Sequence, residues 1–157
     1  MAINPHWLRW TVASIATHFN AAKGAYPLYL EGDERDTDEL KNFAELRIDG
    51  PFVKTLQGGL FYLDIEVNVL IQSKMDPENL YLGLTVAGVF AAAFVNVIKA
   101  YKYGTGNDDD DTLLGCYRLR DTRNDNSIDI SQFGIIQKDT RLTQITIEGH
   151  YRMELQT

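Results

Sequence analysis

The closest approach to acid–base chemistry in this sequence is a set of alternating polar residues. They are Glu148, His150, Arg152 and Glu154. Alternate residues of a strand share one face, about 7 Å apart in successive pairs, and Glu148 beside His150 could form a general acid–base pair. A third partner would have to come from a neighbouring strand, with Asp64 or Glu66 as candidates. The alternative, which we favour, is a cross-strand polar ladder on a solvent or interface face.

Four consecutive aspartates, residues 108–111, are a second candidate, this time for a metal site. Calcium takes six to eight oxygen ligands, usually in a loop with a central glycine and a closing glutamate. The frame that begins at Asp121 fails this pattern, because Asn126 holds the glycine position and Gln132 the closing position. Adjacent carboxylates also repel one another and stay ionised only where water screens them. We therefore predict a solvated loop.

The remaining reactive residue types are sparse. His6 and His18 stand twelve residues apart, too far for the one-turn pairing of a helical zinc site. Cys116 is the only cysteine, which excludes an internal disulfide and a thiolate-rich metal site and predicts a small buried hydrophobe. We find no phosphate-binding glycine loop, nucleophile elbow or zinc pattern. The sequence predicts no catalytic, cofactor-binding or metal-ligating residue, no cofactor and no enzymatic activity.

Composition indicates one compact domain over residues 1–157. The chain is 45% hydrophobic and 24% charged, and no apolar stretch reaches the roughly 18 residues of a membrane span. It has no secretory signal pattern, so we expect an intracellular protein without membrane contact. The net charge of -7 disfavours gripping nucleic acid, which takes clustered Lys and Arg. A surface that faces DNA without holding it remains open.

Two helices are predicted from the spacing of apolar residues. Leu8, Val12, Ile15 and Phe19 recur at helical spacing, which predicts a helix over Pro5–Ala22. A second helix is predicted from Asp76 to about Ala100. Its middle is apolar nearly all round, so it should be packed on more than one side. Gly83, Gly88 and the alanines would let another backbone approach closely, either within the subunit, which we favour, or across an interface.

Two long strands, Leu60–Gln72 and Arg141–Leu155, alternate between an apolar and a polar face. Shorter strands are predicted at Pro27–Leu30, Phe43–Asp49, Leu113–Arg120 and Ile128–Gln137. Gly50-Pro51 should interrupt the second of these. The predicted fold class is α+β: a mostly antiparallel sheet of long two-faced strands with two helices packed on one face.

Several segments together resemble a known family. They are GGLFYLDIEVNVLIQS (58–73), DPENL (76–80), the acid loop at 106–115 and FGIIQKDTRLTQITIEGHYRMEL (133–155). In this order they resemble the small tail-terminator and neck (head–tail connector) proteins of tailed bacteriophages. The chain departs from the simplest terminators in its two acidic insertions, EGDERDTDEL (31–40) and the acid loop at 106–115.

The resemblance implies a structural virion protein of the neck or tail, assembled in the host cytoplasm. Its copies would form a homo-oligomeric ring, usually a hexamer, that caps the tail tube and contacts head connector proteins. Double-stranded DNA would pass through the lumen without specific binding. The family has no catalytic residues to carry over. Two other functions stay open: a small metal-dependent hydrolase using Glu148, His150 and the aspartates, and a cytoplasmic adaptor that binds a protein through the second helix.

Overall fold

The computed structural model describes residues 5–33, 42–55, 60–74, 81–95, 98–102, 113–119, 128–137 and 140–154. Its elements, in chain order, are α1 (Trp7–Ala22), β1 (Leu28–Leu30), β2 (Phe43–Thr55), β3 (Leu60–Lys74), α2 (Leu82–Val95), β4 (Ile98–Tyr101), β5 (Leu113–Leu119), β6 (Ile128–Gln137) and β7 (Thr140–Glu154). The α+β prediction is confirmed. The aspartates at 108–111 and most of the acidic stretch at 31–40 lie outside the described residues.

The strands form one sheet in the order β1-β2-β3-β7-β5-β4, with β6 also paired to β7. β1 pairs with β2 in parallel, and the other pairings are antiparallel. β3 and β7 pair along their whole length, from Leu60 opposite Glu154 to Lys74 opposite Thr140. Two strands pair with the other edge of β7. β6 pairs with Thr140 to Ile147, and β5 pairs with Gly149 to Tyr151.

Alternation along β3 places its apolar side chains against the helices. The buried residues are Leu63, Ile65, Val67, Val69 and Ile71. They share one core cluster with Ile15 and Phe19 of α1 and with Ala87, Phe90 and Phe94 of α2. Both helices therefore cover the same face of the sheet, as predicted. We call the opposite face of β2 and β3 the outer face.

α1 contacts both edge strands of the sheet. At β4, the Tyr101 backbone N–H donates a hydrogen bond of 3.0 Å to the Ser14 hydroxyl oxygen, and that hydroxyl donates in turn to the Trp10 carbonyl oxygen at 2.8 Å. Near β1, Ala16, Thr17 and other α1 residues line a cavity together with the strand. The helix thus satisfies one backbone donor of β4, of the kind that an edge strand leaves unpaired.

The second helix is shorter than the sequence pattern predicts. We predicted that it would extend to about Ala100, but α2 ends before Ile98–Tyr101, which is β4. Ile98 lies opposite Tyr117 of β5, and both side chains are buried. Pairing with a strand distant in sequence therefore overrides the local helical spacing, as tertiary packing often does for β-branched residues. The start predicted at Asp76 lies outside the described residues.

Within the subunit, α2 packs against the sheet and α1, and its outward side is exposed; packing of that side across an interface stays a prediction. Tyr81, Leu84 and Val89 are exposed, and a Cβ built on Gly88 would meet no atom within 4 Å. Gly83 is buried. Among the described helices, none is long and apolar enough to cross a membrane.

Gly50-Pro51 forms a β-bulge, and the strand continues beyond it. Asp49 lies opposite Glu66 and Phe52 lies opposite Asp64, so β2 gains one residue over β3. A one-residue shift reverses which side chains lie on each face of a strand. Leu46 and Ile48 consequently lie on the helix-covered face, whereas Phe52 lies on the outer face with 75% of its surface exposed. The predicted interruption is therefore a change of face within one strand.

Ile65 lies opposite the bulge and receives a hydrogen bond from another strand. Pro51 has no N–H to donate. The Tyr117 hydroxyl of β5 donates to the Ile65 carbonyl oxygen at 2.8 Å. Tyr117 is 5% exposed, and a buried backbone carbonyl without a partner would cost free energy. Tyr117 therefore ties β5 to β3 across the intervening β7.

Tyr26 is expected to make fold stability fall at alkaline pH. Its hydroxyl donates a hydrogen bond of 2.6 Å to the Gln72 carbonyl oxygen, and burial raises its pKa from 10.0 to about 12. Because the folded-state pKa lies above the unfolded one, this stabilisation is complete below pH 10 and is lost as the pH rises through about 12. We expect the free energy of unfolding, measured with urea at a series of alkaline pH values, to fall less steeply with pH in Tyr26→Phe than in the unchanged protein. If it falls equally steeply in both, Tyr26 is not the group responsible.

Candidate functional site

The outer face of the ribbon β2–β3–β7 brings together the strand positions singled out in the sequence. Residues directly opposite each other in antiparallel strands share a face and lie about 4.5 to 5.5 Å apart. The register places Asp64 opposite His150 and Glu66 opposite Glu148. Both candidate partners for the acid–base pair are therefore its direct neighbours. The side chains of residues 141–154 lie outside the described part of the structure.

The central rows of the ribbon are acidic. One row runs from Asp49 through Glu66 to Glu148, which are carboxylates on three adjacent strands. The next row runs from Phe52 through Asp64 to His150. Like charges directly opposite one another destabilise a sheet. The middle of this face is therefore acidic, and the register places basic residues on the same face to either side of it, Arg47 in the row of Asn68 and Lys54 and Arg152 in the row of Tyr62.

Asn68 holds two of these carboxylates in place. Its side-chain amide donates to Asp49 Oδ2 at 3.0 Å and to Glu66 Oε1 at 2.9 Å, and the side chain is 6% exposed. An amide is neutral, so it orients the two carboxylates without cancelling their charge. The role of Asn68 was not anticipated from the sequence, where it is one of several polar residues on the alternating face. It became visible only with the β2–β3 register.

Arg47 forms a separate charged group near β1. Its guanidinium donates to Glu45 Oε1 at 2.6 Å and lies 3.9 Å from Glu31. The hydrogen bond with Glu45 is the main reason why the pKa of Arg47 rises above its ordinary value. Its side chain is 44% exposed, and exposed ion pairs contribute little to stability. We interpret this group as orienting side chains on the outer face.

The other candidate residues occupy structural positions. His6 is exposed and its ring lies 5.8 Å from that of Trp10. His18 is half-buried, with Nε2 2.8 Å from the Ala93 carbonyl oxygen, and so links α1 to α2. Cys116 is half-buried on β5 opposite Lys99, so it is less buried than predicted. In the described parts of the chain, no group of three His, Cys, Asp or Glu could hold a metal ion.

A cavity of about 280 Å³ lies on the other face, between α1 and β1. It is lined by Ala16, Thr17, Asn20, Leu28, Tyr29, Leu30, Asp33 and Leu46. Its lining combines three leucines with a few polar residues, whereas the ring of Tyr29 lies 6.2 Å from that of Phe43. This cavity could not be found from the sequence, since it depends on how the helix crosses the strand. The chain matches no protein-family model and no curated protein sequence.

Proposed function

We propose that this chain is a structural virion protein, a tail terminator or adjacent neck component of a tailed bacteriophage. Its copies assemble into a ring, expected to be a hexamer, between the head connector and the tail tube. The observation that carries the proposal is the acidic centre of the outer face of the long ribbon, where Asp49, Glu66 and Glu148 share one row. Double-stranded DNA is lined with phosphates, so a negative wall repels it and leaves it free to move.

The geometry of the ribbon supports this role. Its three strands β2, β3 and β7 are 13, 15 and 15 residues long, well above the usual strand length. Asp49, Asp64 and Glu66 lie on its outer face, and Asn68 fixes the orientation of two of them. A wall of this kind presents an extended charged surface rather than a single binding point. It suits a channel through which DNA passes without being held.

The surface also carries the apolar side chains that assembly requires. Large exposed hydrophobic residues include Phe52 at 75%, Tyr81 at 71% and Phe133 at 57% exposure. Single exposed hydrophobics are ordinary, but these lie on three different elements, β2, the start of α2 and β6. Contacts between copies would remove them from water and offset the repulsion between acidic chains.

The proposal is tested by measuring the mass of the purified protein by light scattering over a range of concentrations. We expect a hexamer of the 17.8 kDa chain and ring-shaped particles in electron micrographs. Isolated tail tubes should acquire a terminal ring when the protein is added. A chain that stays monomeric at high concentration and in the presence of tail tubes would overturn the proposal.

A metal-dependent hydrolase is the second candidate, favoured by the register of Asp64 opposite His150. Against it, Asp49 and Glu66 in the neighbouring row already accept hydrogen bonds from a structural amide. Calorimetry with calcium, magnesium and zinc distinguishes the two functions. Tight binding that is abolished by Asp64→Asn, or by Asp109→Asn with Asp110→Asn, would favour the hydrolase.

A further inference from the structure

Two long stretches of sheet edge have no strand partner among the described strands. β1 pairs only with Ala44–Leu46 of β2, so Arg47–Thr55 has an open edge on the side away from β3. On the other side of the sheet, β6 pairs with β7 alone. An open edge presents backbone N–H and C=O groups that can pair with another strand.

Each open edge contains one regular segment next to a bulge. On β6 this segment is Ile128–Gln132, since the register with β7 shifts between Gln132 and Gly134. On β2 it is Phe52–Thr55, which follows the bulge at Gly50-Pro51. Because bulges disrupt strand pairing, these two segments are the parts of the edges that are best suited to accept a strand.

The two segments match in direction. β2 is antiparallel to β3, β3 is antiparallel to β7, and β7 is antiparallel to β6, so β6 runs opposite to β2. A second copy that continues the sheet, with its helices on the same side, therefore brings its β2 antiparallel to β6. Every pairing in the described sheet except that of β1 with β2 is of this kind.

Exposure and charge select one register between the segments. Ile130 is 43% exposed and Val53 is 44% exposed, and the register places both on the helix-covered face. Asp129 is the only charged residue in β6, and Lys54 is the only one in Phe52–Thr55; both lie on the other face. An antiparallel pairing with Ile130 opposite Val53 also sets Asp129 opposite Lys54. Opposite charges in such a pair stabilise a sheet.

Arg47 is the other cation on the open edge of β2, but its register is blocked. Setting Arg47 opposite Asp129 would set Leu46 opposite Ile130. The Leu46 carbonyl oxygen already accepts a hydrogen bond of 3.0 Å from the Glu31 backbone N–H, and β1 pairs with this part of β2. The pairing therefore falls on the segment after the bulge.

The stagger of this register suits a closed ring. Ile130 lies in the row of Val69 and Val53 in the row of Leu63, so successive copies are displaced by six residues, about 20 Å, along the strands. Four strand spacings, from one β2 to the next, cover about 19 Å across them. These displacements tilt the strands by about 45° to the ring axis, close to the roughly 35 to 45° of closed β-barrels.

We propose that β6 of one copy pairs with β2 of the next, with Asp129 opposite Lys54 and Ile130 opposite Val53. The inference rests on the ring of the proposed function and names the contact that builds it. Because the two edges differ, each copy uses one of each, and such heterologous contacts close into rings when the rotation between copies is right. The continuous sheet keeps the helices on one side and the acidic outer face on the other.

Charge reversal tests the pair of Asp129 and Lys54. Lys54→Glu should raise the concentration at which copies associate by about fivefold or more, because it sets two carboxylates opposite each other. Asp129→Lys should do the same with two cations. The double variant should associate like the unchanged protein, since every contact then carries the reversed pair. Light scattering over a dilution series measures all four proteins. If the double variant associates no better than either single variant, these residues do not meet and the inference is overturned.

Ile130→Thr tests the apolar pair. It keeps the β-branched shape but adds a hydroxyl that Val53 of the next copy would cover, so association should weaken by about fivefold. Val89→Thr is the matched control, because Val89 is 45% exposed and lies on α2; it should leave association unchanged. An effect of Val89→Thr as large as that of Ile130→Thr would overturn the inference.

Cysteine pairs separate this contact from self-association in general. Within one copy, residues 53 and 130 lie three strand spacings apart, about 14 Å across the sheet, so a disulfide between them can form only between copies. Val53→Cys with Ile130→Cys, in a Cys116→Ser background, should give ladders of linked chains in a denaturing gel. The control pair of Val89→Cys with Ile130→Cys should not.

The two proposals fail in different ways. If rings form but no ladder appears and the charge variants have no effect, the edge contact is wrong and the proposed ring remains. A chain that never assembles overturns both.

Discussion

Gly50→Ala should destabilise the fold by about 2 to 4 kcal/mol, the combined cost of a strained backbone and a steric clash. Gly50 has φ of +101°, a conformation that residues with a side chain rarely adopt, and an added Cβ would lie 2.8 Å from the Asp64 carbonyl oxygen. That oxygen belongs to the backbone of β3, so it cannot move without disturbing the central ribbon. The backbone therefore cannot easily relieve either the strained conformation at residue 50 or the clash with the Asp64 carbonyl oxygen.

Gly24→Ala is the matched control for this experiment. Gly24 also has a positive φ, +63°, but a Cβ there would meet nothing within 4 Å. We expect a cost of about 1 kcal/mol, which is the penalty of the left-handed conformation alone. Urea unfolding at a protein concentration where the chain is monomeric measures both variants. If Gly50→Ala lowers the free energy of unfolding no more than Gly24→Ala does, a Cβ at residue 50 does not clash with the Asp64 carbonyl oxygen.

Phe19→Ala should lower the free energy of unfolding by about 3 to 5 kcal/mol, the usual cost of removing a large buried aromatic side chain. Phe19 is fully buried, and its ring centroid lies 4.4 Å from that of Phe94 and 6.3 Å from that of Phe90. The substitution leaves a cavity where α1, α2 and the sheet meet. Domains are stable by only about 5 to 15 kcal/mol, so this is a large fraction of the total.

Thermal unfolding measures this effect directly. For a domain of this size, such a loss lowers the melting temperature by roughly 6 to 20 °C. At a protein concentration where the chain is monomeric, Phe133→Ala is the matched control, because Phe133 is 57% exposed and surface changes usually stay within about 0.5 kcal/mol. Equal melting temperatures for Phe19→Ala and Phe133→Ala would show that the ring of Phe19 does not lie in the core.

The local pattern in the sequence was enough to predict the central strand and its faces. In β3, every second residue from Leu63 to Ile71 is buried, because a strand that covers a core must alternate. The same kind of argument failed at Ile98. That residue continues the helical spacing of α2, and only its partner Tyr117, which is distant in the chain, makes it a strand.

The candidate site was predictable in composition but not in arrangement. The polar faces of β3 and β7 follow from alternation, and Asp64 and Glu66 were both named as possible neighbours of the pair Glu148 and His150. Which residue faces which depends on the register between strands, and that is set by contacts across the whole sheet. The bridging role of Asn68 and the cavity beside α1 depend on the same long-range pairing.

β5 and β6 lie end to end along one edge of β7. Leu119 is opposite Gly149 and Ile128 is opposite Ile147, so the two strand ends are two β7 positions apart, about 7 Å. Residues 120–127 therefore join points that are already close, and the entropic cost of a longer connection grows only slowly with length. A foreign peptide grafted between Leu119 and Ile128 would leave every strand partner in the sheet unchanged. This position is therefore suitable for attaching a label to the protein.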